Sequence, residues 1–291
     1  MDGEAHPENT YVLDPESSVE MARLIDLDRF ITKAMGGPLV GVPDLAAGAK
    51  VLDLASGPGG WVLDVAFEHP EWEVAGVDVS KIMIDYAYAR ARTQNLANAS
   101  FGVMDISQPL DFSDQTFDLV NARLLAGVLR SASWPSFLAE CTRILKPGGT
   151  LRLTEPVDVI GTTSSIAYER IAAWTYQALW QFGYGFSVDG RTLGLTTTVP
   201  RLLRKIGYRD IHRLAFTLEF SSDCEAWQDM HRNLQATRVL APQFFLKAGV
   251  ATQEEIEQIY QQAFTELLSS EFHGMWHFVT VLGEKPQDPG S

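Results

Sequence analysis

The strongest constraint on the fold is an alternation between positions 51 and 153, where short apolar runs take turns with segments of helical periodicity. This alternation is typical of consecutive βα units, whose strands form a mostly parallel sheet. The predicted strands cover residues 50–54, 73–78, 99–104, 117–121 and 150–155. The sequence therefore predicts an α/β fold.

Helix signals stand before and after this block. Ser17 with Glu20 three residues later indicates a capping box, and the apolar stripe that follows predicts a helix before the sheet. The Lys-Pro-Gly-Gly turn at 146–149 ends a helix that begins at Trp134. Further helices are predicted over 166–182 and 199–206, and late strands over 211–220 and 276–283.

An insertion separates the two late strands. It contains helical sequence over 223–245 and 252–268, and the second segment opens with another capping box at Thr252 and Glu255. Two helices over the sheet edge would form a lid. The Pro- and Gly-rich tail at 285–291 is expected to be frayed.

Composition excludes several classes of function. The chain has 37 acidic and 23 basic residues, a net charge of −14, so nucleic acid is not expected as a partner. Its two cysteines, Cys141 and Cys224, are far apart and indicate neither a disulfide framework nor a cysteine-based metal site. Residues 1–4 are acidic, unlike a signal peptide, and no apolar run approaches the about 20 residues of a membrane span. We expect a cytoplasmic protein without a membrane span.

The most informative segment is 51–60, an apolar strand that carries Asp53 and runs into a Gly-rich turn and a helix. Glycines let the chain turn tightly and let a ligand lie against bare backbone at a helix N-terminus. This pattern predicts a cofactor-binding loop, although a plain strand-to-helix turn would show it too.

Polar residues recur at the ends of the following strands. Asp78 ends the second strand, where a carboxylate can accept both hydroxyls of a ribose. Asp105 follows the third strand, and Asn121 and Arg123 end the fourth. Because ligands of open α/β sheets bind at the carboxyl ends of the strands, a site is expected there. Helix capping is the alternative role for these acids, and for Asp105 above all.

On these residues the chain resembles the class I S-adenosylmethionine-dependent methyltransferases that act on small molecules. The turn at 143–149 belongs to the same resemblance. It implies a Rossmann-like fold with a seven-stranded, mostly parallel sheet and an antiparallel last strand. Ala55 departs from the family, which usually has glycine there, but it is small enough for the methionine part to approach.

A dinucleotide-dependent oxidoreductase would use a similar loop and a similar acid on the second strand. Bulky Trp61 and Val62 stand where a G-x-G-x-x-G fingerprint continues to a small residue. The glycine pattern therefore favours the methyltransferase interpretation.

The resemblance divides the chain into functional segments. They are an N-terminal helical cap at 1–45, a Rossmann-like S-adenosylmethionine-binding core at 46–220, a helical lid at 221–274, a final core strand at 275–284 and a flexible tail at 285–291.

The resemblance also assigns cofactor contacts. Asp53 would hold the methionine amino group, Asp78 the ribose hydroxyls and Asp105 the adenine amino group. Tyr11 would close over the methionine end, although it could equally be a packed surface aromatic. The predicted cofactor residues are Tyr11, Asp53, Ala55, Gly57, Gly59, Asp78, Val79, Ser80, Met83, Met104, Asp105, Ile106, Asn121, Ala122 and Arg123.

Methyl transfer needs mainly positioning, and a general base only when the acceptor holds its proton. Glu155, Tyr168 and His231 are the predicted catalytic residues, and His273 and His277 are further candidates on the substrate side. For each histidine, a solvated position or one packed in the core is the favoured interpretation. The two last histidines straddle a glycine and a strand start, so no metal is assigned.

Aromatic residues crowd the segments that should cover the substrate. These are Trp174, Tyr176, Trp180, Phe182, Tyr184, Phe186, Trp227, Phe244 and Phe245. They predict an apolar acceptor pocket, although packing between lid and sheet, or a homodimer interface, would use the same residues.

The predicted function is S-adenosyl-L-methionine-dependent methylation of an apolar or aromatic small molecule, of the secondary-metabolite or quinone-like kind, with S-adenosyl-L-homocysteine as product. The alternative is a protein of the same fold that binds the cofactor and has a non-methylating or regulatory role.

Overall fold

One sheet of eight strands runs through the computed structural model, which describes residues 11–287. The strands are β1 (Lys50–Leu54), β2 (Glu73–Asp78), β3 (Ala99–Val103), β4 (Phe117–Arg123), β5 (Leu145–Pro156), β6 (Thr162–Thr163), β7 (Arg209–Glu219) and β8 (Gly274–Glu284). Residues 1–4 and the end of the predicted tail, from 288 onward, lie outside the described part.

The strand order is β3-β2-β1-β4-β5-β8-β6, with β7 also paired to β8. Strands β1 to β5 pair in parallel, whereas β8 is antiparallel to β5, β6 and β7. The predicted Rossmann-like α/β sheet with an antiparallel last strand is therefore confirmed. The seven predicted strands lacked β6, whose two residues are too short to give a periodic signal.

Nine α-helices accompany the sheet within the described residues. They are α1 (Ser18–Met35), α2 (Gly60–Glu68), α3 (Lys81–Thr93), α4 (Trp134–Ile144), α5 (Ile166–Gln181), α6 (Leu195–Lys205), α7 (Trp227–Leu240), α8 (Pro242–Ala248) and α9 (Gln253–Leu267).

The single helix predicted over 223–245 is wrong in two respects. It begins later than predicted, at Trp227, and it is two helices, because Pro242 has no N–H to continue α7 and instead starts α8. The insertion between β7 and β8 therefore contains three helices rather than two. We call α7, α8 and α9 the lid helices.

The two predicted capping boxes differ. Thr252 and Glu255 form a complete box at the start of α9. At α1 the Ser17 hydroxyl accepts the Glu20 N–H, but the Glu20 carboxylate pairs with Arg23 instead of returning to the cap. The pairing with a buried arginine is the stronger interaction for a carboxylate that is itself fully buried.

Apolar clusters lie on both faces of the sheet. One cluster packs β1, β2 and β3 against α2 and α3, and the larger one includes α1, α4, α5 and the lid helices. Helix α7 packs on α1, and α9 packs on α5. This arrangement fixes the lid helices to two neighbours. None of the helices in residues 11–287 is both long and apolar enough to cross a membrane.

Candidate functional site

A cavity of about 290 Å³ lies at the carboxyl ends of the parallel strands. Its strand-end half is formed by Asp53, Ala55, Ser56, Gly57, Asp78, Val79, Met83, Met104, Asp105, Ile106 and Arg123. Its lid half is formed by Ile160, Tyr168, Ile171, Thr175, Leu179, Leu234, Thr237, Ala241, Phe244, Phe245, Tyr260 and Trp276. The topology thus brings together residues that are far apart in the sequence.

The loop after β1 depends on left-handed backbone. Ala55, Gly57 and Gly59 have φ values of 55°, 52° and 77°. At Gly59 a Cβ would also approach Phe101 to 2.7 Å, so only glycine fits. The conformation of Ala55 explains why a glycine is usual at this position, since an L-residue pays about 1 kcal/mol there.

Asp78 presents a rigid carboxylate to the cavity. One oxygen accepts the Gly57 N–H at 2.8 Å, and the other accepts the Ser80 N–H at 2.9 Å. Burial raises the pKa of Asp78, and these backbone donors partly offset the rise. Each oxygen keeps a lone pair, so the side chain can still accept two hydroxyl groups.

A row of buried polar side chains crosses the sheet behind the cavity. Asp53, Asn121 and Arg152 are aligned neighbours on β1, β4 and β5. The Asn121 amide donates to Asp53 at 2.7 Å, and Arg152 donates to the Asn121 oxygen at 2.7 Å. Burial raises the pKa of Asp53 to about 7, which nearby Arg123 partly opposes. Of the row, only Asp53 reaches the cavity.

Arg152 is a site residue that the sequence did not reveal. It is fully buried, and burial together with the positive charge of Arg123 lowers its pKa to about 9. An arginine inside the apolar run of a central strand was the available signal, because such strands normally hold apolar residues.

Asp28 on α1 is a second residue that the sequence did not reveal. Its carboxylate accepts a hydrogen bond from Arg123, which also donates to the Thr32 hydroxyl at 3.0 Å. A Cβ at Gly60 would collide with this carboxylate, so glycine is required where α2 begins. An acid on the apolar stripe of α1, between Leu24 and Ile31, was the signal.

The residues predicted to surround the adenine lie in the cavity wall. Met104, Asp105 and Ile106 line the cavity, as do Val79 and Met83. One oxygen of Asp105 accepts the Ser107 N–H at 2.8 Å. Asp105 therefore combines the turn-stabilising role, which was the alternative, with a place in the cavity wall.

Tyr11 lines the cavity and belongs to a buried polar cluster. Its hydroxyl donates to Glu20 and accepts from Arg23 at 3.3 Å. Arg23 also donates to Asn233 of α7 at 3.2 Å. Burial and the nearby Glu20 charge raise the pKa of Tyr11. We call Tyr11, Glu20, Arg23 and Asn233 the clasp, because they join α1 to the lid.

Four predicted cofactor residues do not line the cavity. Gly59 is the N-cap residue of α2, and Asn121 and Ala122 are fully buried in β4. The Ser80 hydroxyl accepts the Met83 N–H at 3.2 Å and donates to the Pro15 carbonyl at 3.0 Å. These four residues lie behind the residues that line the cavity and do not contact it.

Of the three predicted catalytic residues, only Tyr168 lines the cavity. Glu155 points the other way along β5, where its carboxylate accepts the N–H groups of Leu125 at 2.8 Å and Ala126 at 3.2 Å. Burial raises its pKa to about 8. Glu155 therefore holds the turn after β4 in place.

The histidines also lie outside the cavity wall. His231 stacks on Trp227, with ring centroids 5.3 Å apart, and contacts Phe264. His273 is exposed, and the Nδ1 of His277 pairs with the Thr217 hydroxyl at 3.1 Å. The packing of His231 between aromatic rings is the physical reason that it does not reach the substrate side.

The aromatic residues divide between the two predicted roles. Phe244 and Phe245 line the cavity. Trp174 packs behind Phe245 with ring centroids 6.0 Å apart, and Phe182 packs on Phe244 at 5.5 Å. One layer of rings therefore faces the cavity, and a second layer supports it.

Known proteins share this architecture. Residues 51–149 match the model of the family described as "Methyltransferase domain". The ubiquinone/menaquinone biosynthesis C-methyltransferase UbiE of Desulfotalea psychrophila is 35% identical over 207 residues, which cover 65% of this chain and 74% of the relative. Methyltransferase pytC of Aspergillus terreus is 22% identical over 284 residues, covering 94% of this chain and 82% of pytC.

A solved structure supports the same fold. Geranyl diphosphate C-methyltransferase from Streptomyces coelicolor A3(2), in complex with Mg²⁺, geranyl diphosphate and S-adenosyl-L-homocysteine, has a TM-score of 0.52. It is 14% identical, and the match covers 97% of this chain and 90% of that one.

Proposed function

Because this chain belongs to the class I S-adenosylmethionine-dependent methyltransferases, we propose that it methylates a largely apolar or aromatic small molecule of the secondary-metabolite or quinone-like kind. The enzyme takes S-adenosylmethionine as methyl donor and gives S-adenosylhomocysteine. The observation that carries the acceptor proposal is the uncharged lid half, which adjoins the strand-end half in one cavity.

The strand-end residues fit this cofactor. Asp53 is a buried carboxylate whose pKa of about 7 indicates that its charge is incompletely compensated. An ammonium group such as that of the methionine moiety would stabilise that charge. Asp78 offers two fixed acceptor oxygens for a ribose, and the left-handed loop at Ala55 and Gly57 leaves backbone open to the cavity.

The loop also contains an orphaned polar atom. Ser56 lines the cavity, and its buried hydroxyl, which lies close to Gly76 of β2, has no hydrogen-bond partner among the described residues.

When bound, S-adenosylmethionine supplies a methyl group on a sulfonium, a strong electrophile that needs no covalent help from the protein. The chain's own residues would orient and enclose the reactants. Asp53 and Asp78 would fix the donor, while Phe244, Phe245 and Leu234 would exclude water from the acceptor.

Charge distribution supports a neutral acceptor. All charged residues that line the described cavity lie on α1 or at the strand ends; they are Arg23, Asp28, Asp53, Asp78, Asp105 and Arg123. A charged acceptor in the lid half would lose its hydration without gaining a counter-ion. An apolar acceptor gains by the same burial.

The raised pKa values of the two tyrosines in the lid half support an acceptor that is reactive without a strong base. Burial raises the pKa of Tyr168 far above neutrality and that of Tyr260 to about 12. Both tyrosines remain protonated at neutral pH. Phenols, enols and the carbon nucleophiles derived from them lose their proton more readily than alcohols do, so we propose an acceptor of this kind.

Two measurements test the proposal in sequence. Calorimetry with S-adenosylhomocysteine tests the cofactor site, and mass spectrometry of reactions with S-adenosylmethionine tests the acceptor. Neutral naphthohydroquinones and polyphenols are expected to give methylated product, and phosphoethanolamine and glycine are not. Turnover only with the charged compounds would overturn the acceptor proposal, and so would cofactor binding with no transfer to any neutral acceptor.

A further inference from the structure

Three hydroxyl residues of the lid half lie on helices that pack on one another: Tyr168 on α5, Thr237 on α7 and Tyr260 on α9. Tyr168 and Tyr260 are both buried and face each other across the packed helices α5 and α9, and Tyr260 raises the pKa of Tyr168. The Thr237 hydroxyl lies close to the Tyr260 hydroxyl but outside the geometry of a hydrogen bond, and this contact partly offsets the rise that burial causes in the pKa of Tyr260. A polar patch is thus built into the apolar wall.

Two of the three hydroxyl protons are already donated to backbone carbonyl groups. Tyr168 donates to the Ile160 carbonyl at 3.2 Å, and Thr237 donates to the Leu234 carbonyl at 3.1 Å. These two oxygens can therefore accept a hydrogen bond but have no second proton to donate.

Tyr260 differs from both. Its side chain is fully buried and lines the cavity, yet its hydroxyl reaches no partner of hydrogen-bonding geometry in residues 11–287. Helix α9 holds it firmly, because the helix packs on α5 and starts with a complete capping box. A buried hydroxyl without a partner costs stability, which a ligand oxygen would recover.

We propose that Tyr260 donates a hydrogen bond to a carbonyl oxygen of the methyl acceptor, so that the enzyme selects neutral, keto-bearing apolar molecules. This inference rests on the proposed function and narrows its acceptor class. The free lone pairs of Tyr168 and Thr237 suit a hydroxyl group near that carbonyl. A molecule that carries both groups, such as a hydroxyketone or its enol, complements the patch.

A matched pair of probes isolates the carbonyl. 1-Tetralone and tetralin have the same bicyclic frame and differ by a carbonyl in place of a methylene. Their binding is measured by calorimetry in saturating S-adenosylhomocysteine, for the wild type, Tyr260→Phe and Tyr208→Phe. Tyr208 is the control, since it is a buried tyrosine whose hydroxyl pairs with Thr142 at 3.2 Å and it does not line the described cavity.

The wild type and Tyr208→Phe should bind tetralone about tenfold more tightly than tetralin, whereas Tyr260→Phe should bind both alike. The midpoint of thermal unfolding of Tyr260→Phe should not fall, because no internal hydrogen bond is lost. A wild type that does not distinguish the probes, or a Tyr260→Phe variant that still does, would overturn the inference.

Failure of the proposed function would look different. It would show as lost binding of S-adenosylhomocysteine, or as turnover restricted to charged acceptors. Tyr260→Phe is expected to bind S-adenosylhomocysteine as the wild type does, so the two failures are separable.

Discussion

The two halves of the cavity are built by different physical means. In the strand-end half, charged side chains are fixed by hydrogen bonds, as Asp78 is by two backbone N–H groups and Arg123 by Asp28. In the lid half, apolar side chains such as Phe245 are held by packing against a second layer of rings. If the proposed function is right, recognition of the donor depends on a few fixed polar contacts, whereas recognition of the acceptor depends on the shape of the inserted helical layer.

The largest expected effect comes from the lid half. Phe245→Ala removes a fully buried ring and should lower the free energy of unfolding by about 4 kcal/mol. Affinity for S-adenosylhomocysteine should stay within about twofold, because no strand-end contact changes. Denaturant unfolding and calorimetry measure the two quantities. Gln243→Ala, a change at an exposed position of the same helix, should alter neither quantity. If Phe245→Ala lowered the binding free energy of S-adenosylhomocysteine as much as the free energy of unfolding, the two halves would not be independent.

The second largest loss of stability is expected from a change in the strand-end half. Arg123→Ala leaves Asp28 without its partner and removes the positive charge that stabilises ionised Asp53. We expect a loss of about 3 kcal/mol in the free energy of unfolding. Lys81→Ala breaks the exposed pair with Asp85 and should change little. If denaturant unfolding gave similar small losses for both variants, the buried charges would not stabilise this half.

Donor binding should respond most directly to Asp78. Asp78→Ala removes a charged acceptor for two hydroxyls and should weaken S-adenosylmethionine binding by about 2 kcal/mol. The matched variant Asp85→Ala lies on the exposed surface of α3 and should bind normally. Calorimetry compares the two, and unchanged affinity in Asp78→Ala would exclude it as the ribose acceptor.

The last and smallest effects are the pH dependence of the free energy of unfolding and that of cofactor affinity, both of which originate at Asp53. Its pKa is about 7 in the folded chain, above the about 3.9 of an unfolded aspartate. In the folded state Asp53 therefore stays protonated to a higher pH than in the unfolded state. The stability that Asp53 contributes is present at low pH and is lost as the pH rises from about 4 to about 7.

Cofactor binding should follow the opposite trend, because an ammonium group favours the carboxylate. Affinity for S-adenosylhomocysteine should rise about tenfold from pH 6 to pH 8, and Asp53→Asn should abolish the rise. Glu155→Gln changes another buried carboxyl whose side chain does not line the cavity, so this control should keep the rise. A pH dependence that survives in Asp53→Asn would assign it to another group.

Much of the strand-end half could be predicted because its residues follow apolar runs directly. β1 and β2 match their predicted bounds, and Asp53 and Asp78 lie in one cavity because parallel strands end at one edge. Side-chain direction could not be predicted equally well. Glu155 lies between two cavity-lining neighbours on β5, so alternation turns its carboxylate away.

The lid half was less predictable because its contacts join distant parts of the chain. Tyr260, on α9, shares the cavity with Tyr168, on α5, through the packing of those two helices. Likewise Asp28 meets Arg123 only after α1 docks on the sheet. Sequence periodicity indicates which face of a helix is buried but not which helix it meets.

A crystal structure with S-adenosylhomocysteine bound would show whether the donor lies at the strand ends with its sulfur toward the lid half. We expect the ribose hydroxyls on Asp78, the amino group toward Asp53, the adenine beside Met104 and Asp105, and the sulfur facing the lid half. A nucleoside bound at another place, or one whose sulfur faces away from Tyr168 and Tyr260, would contradict this expectation.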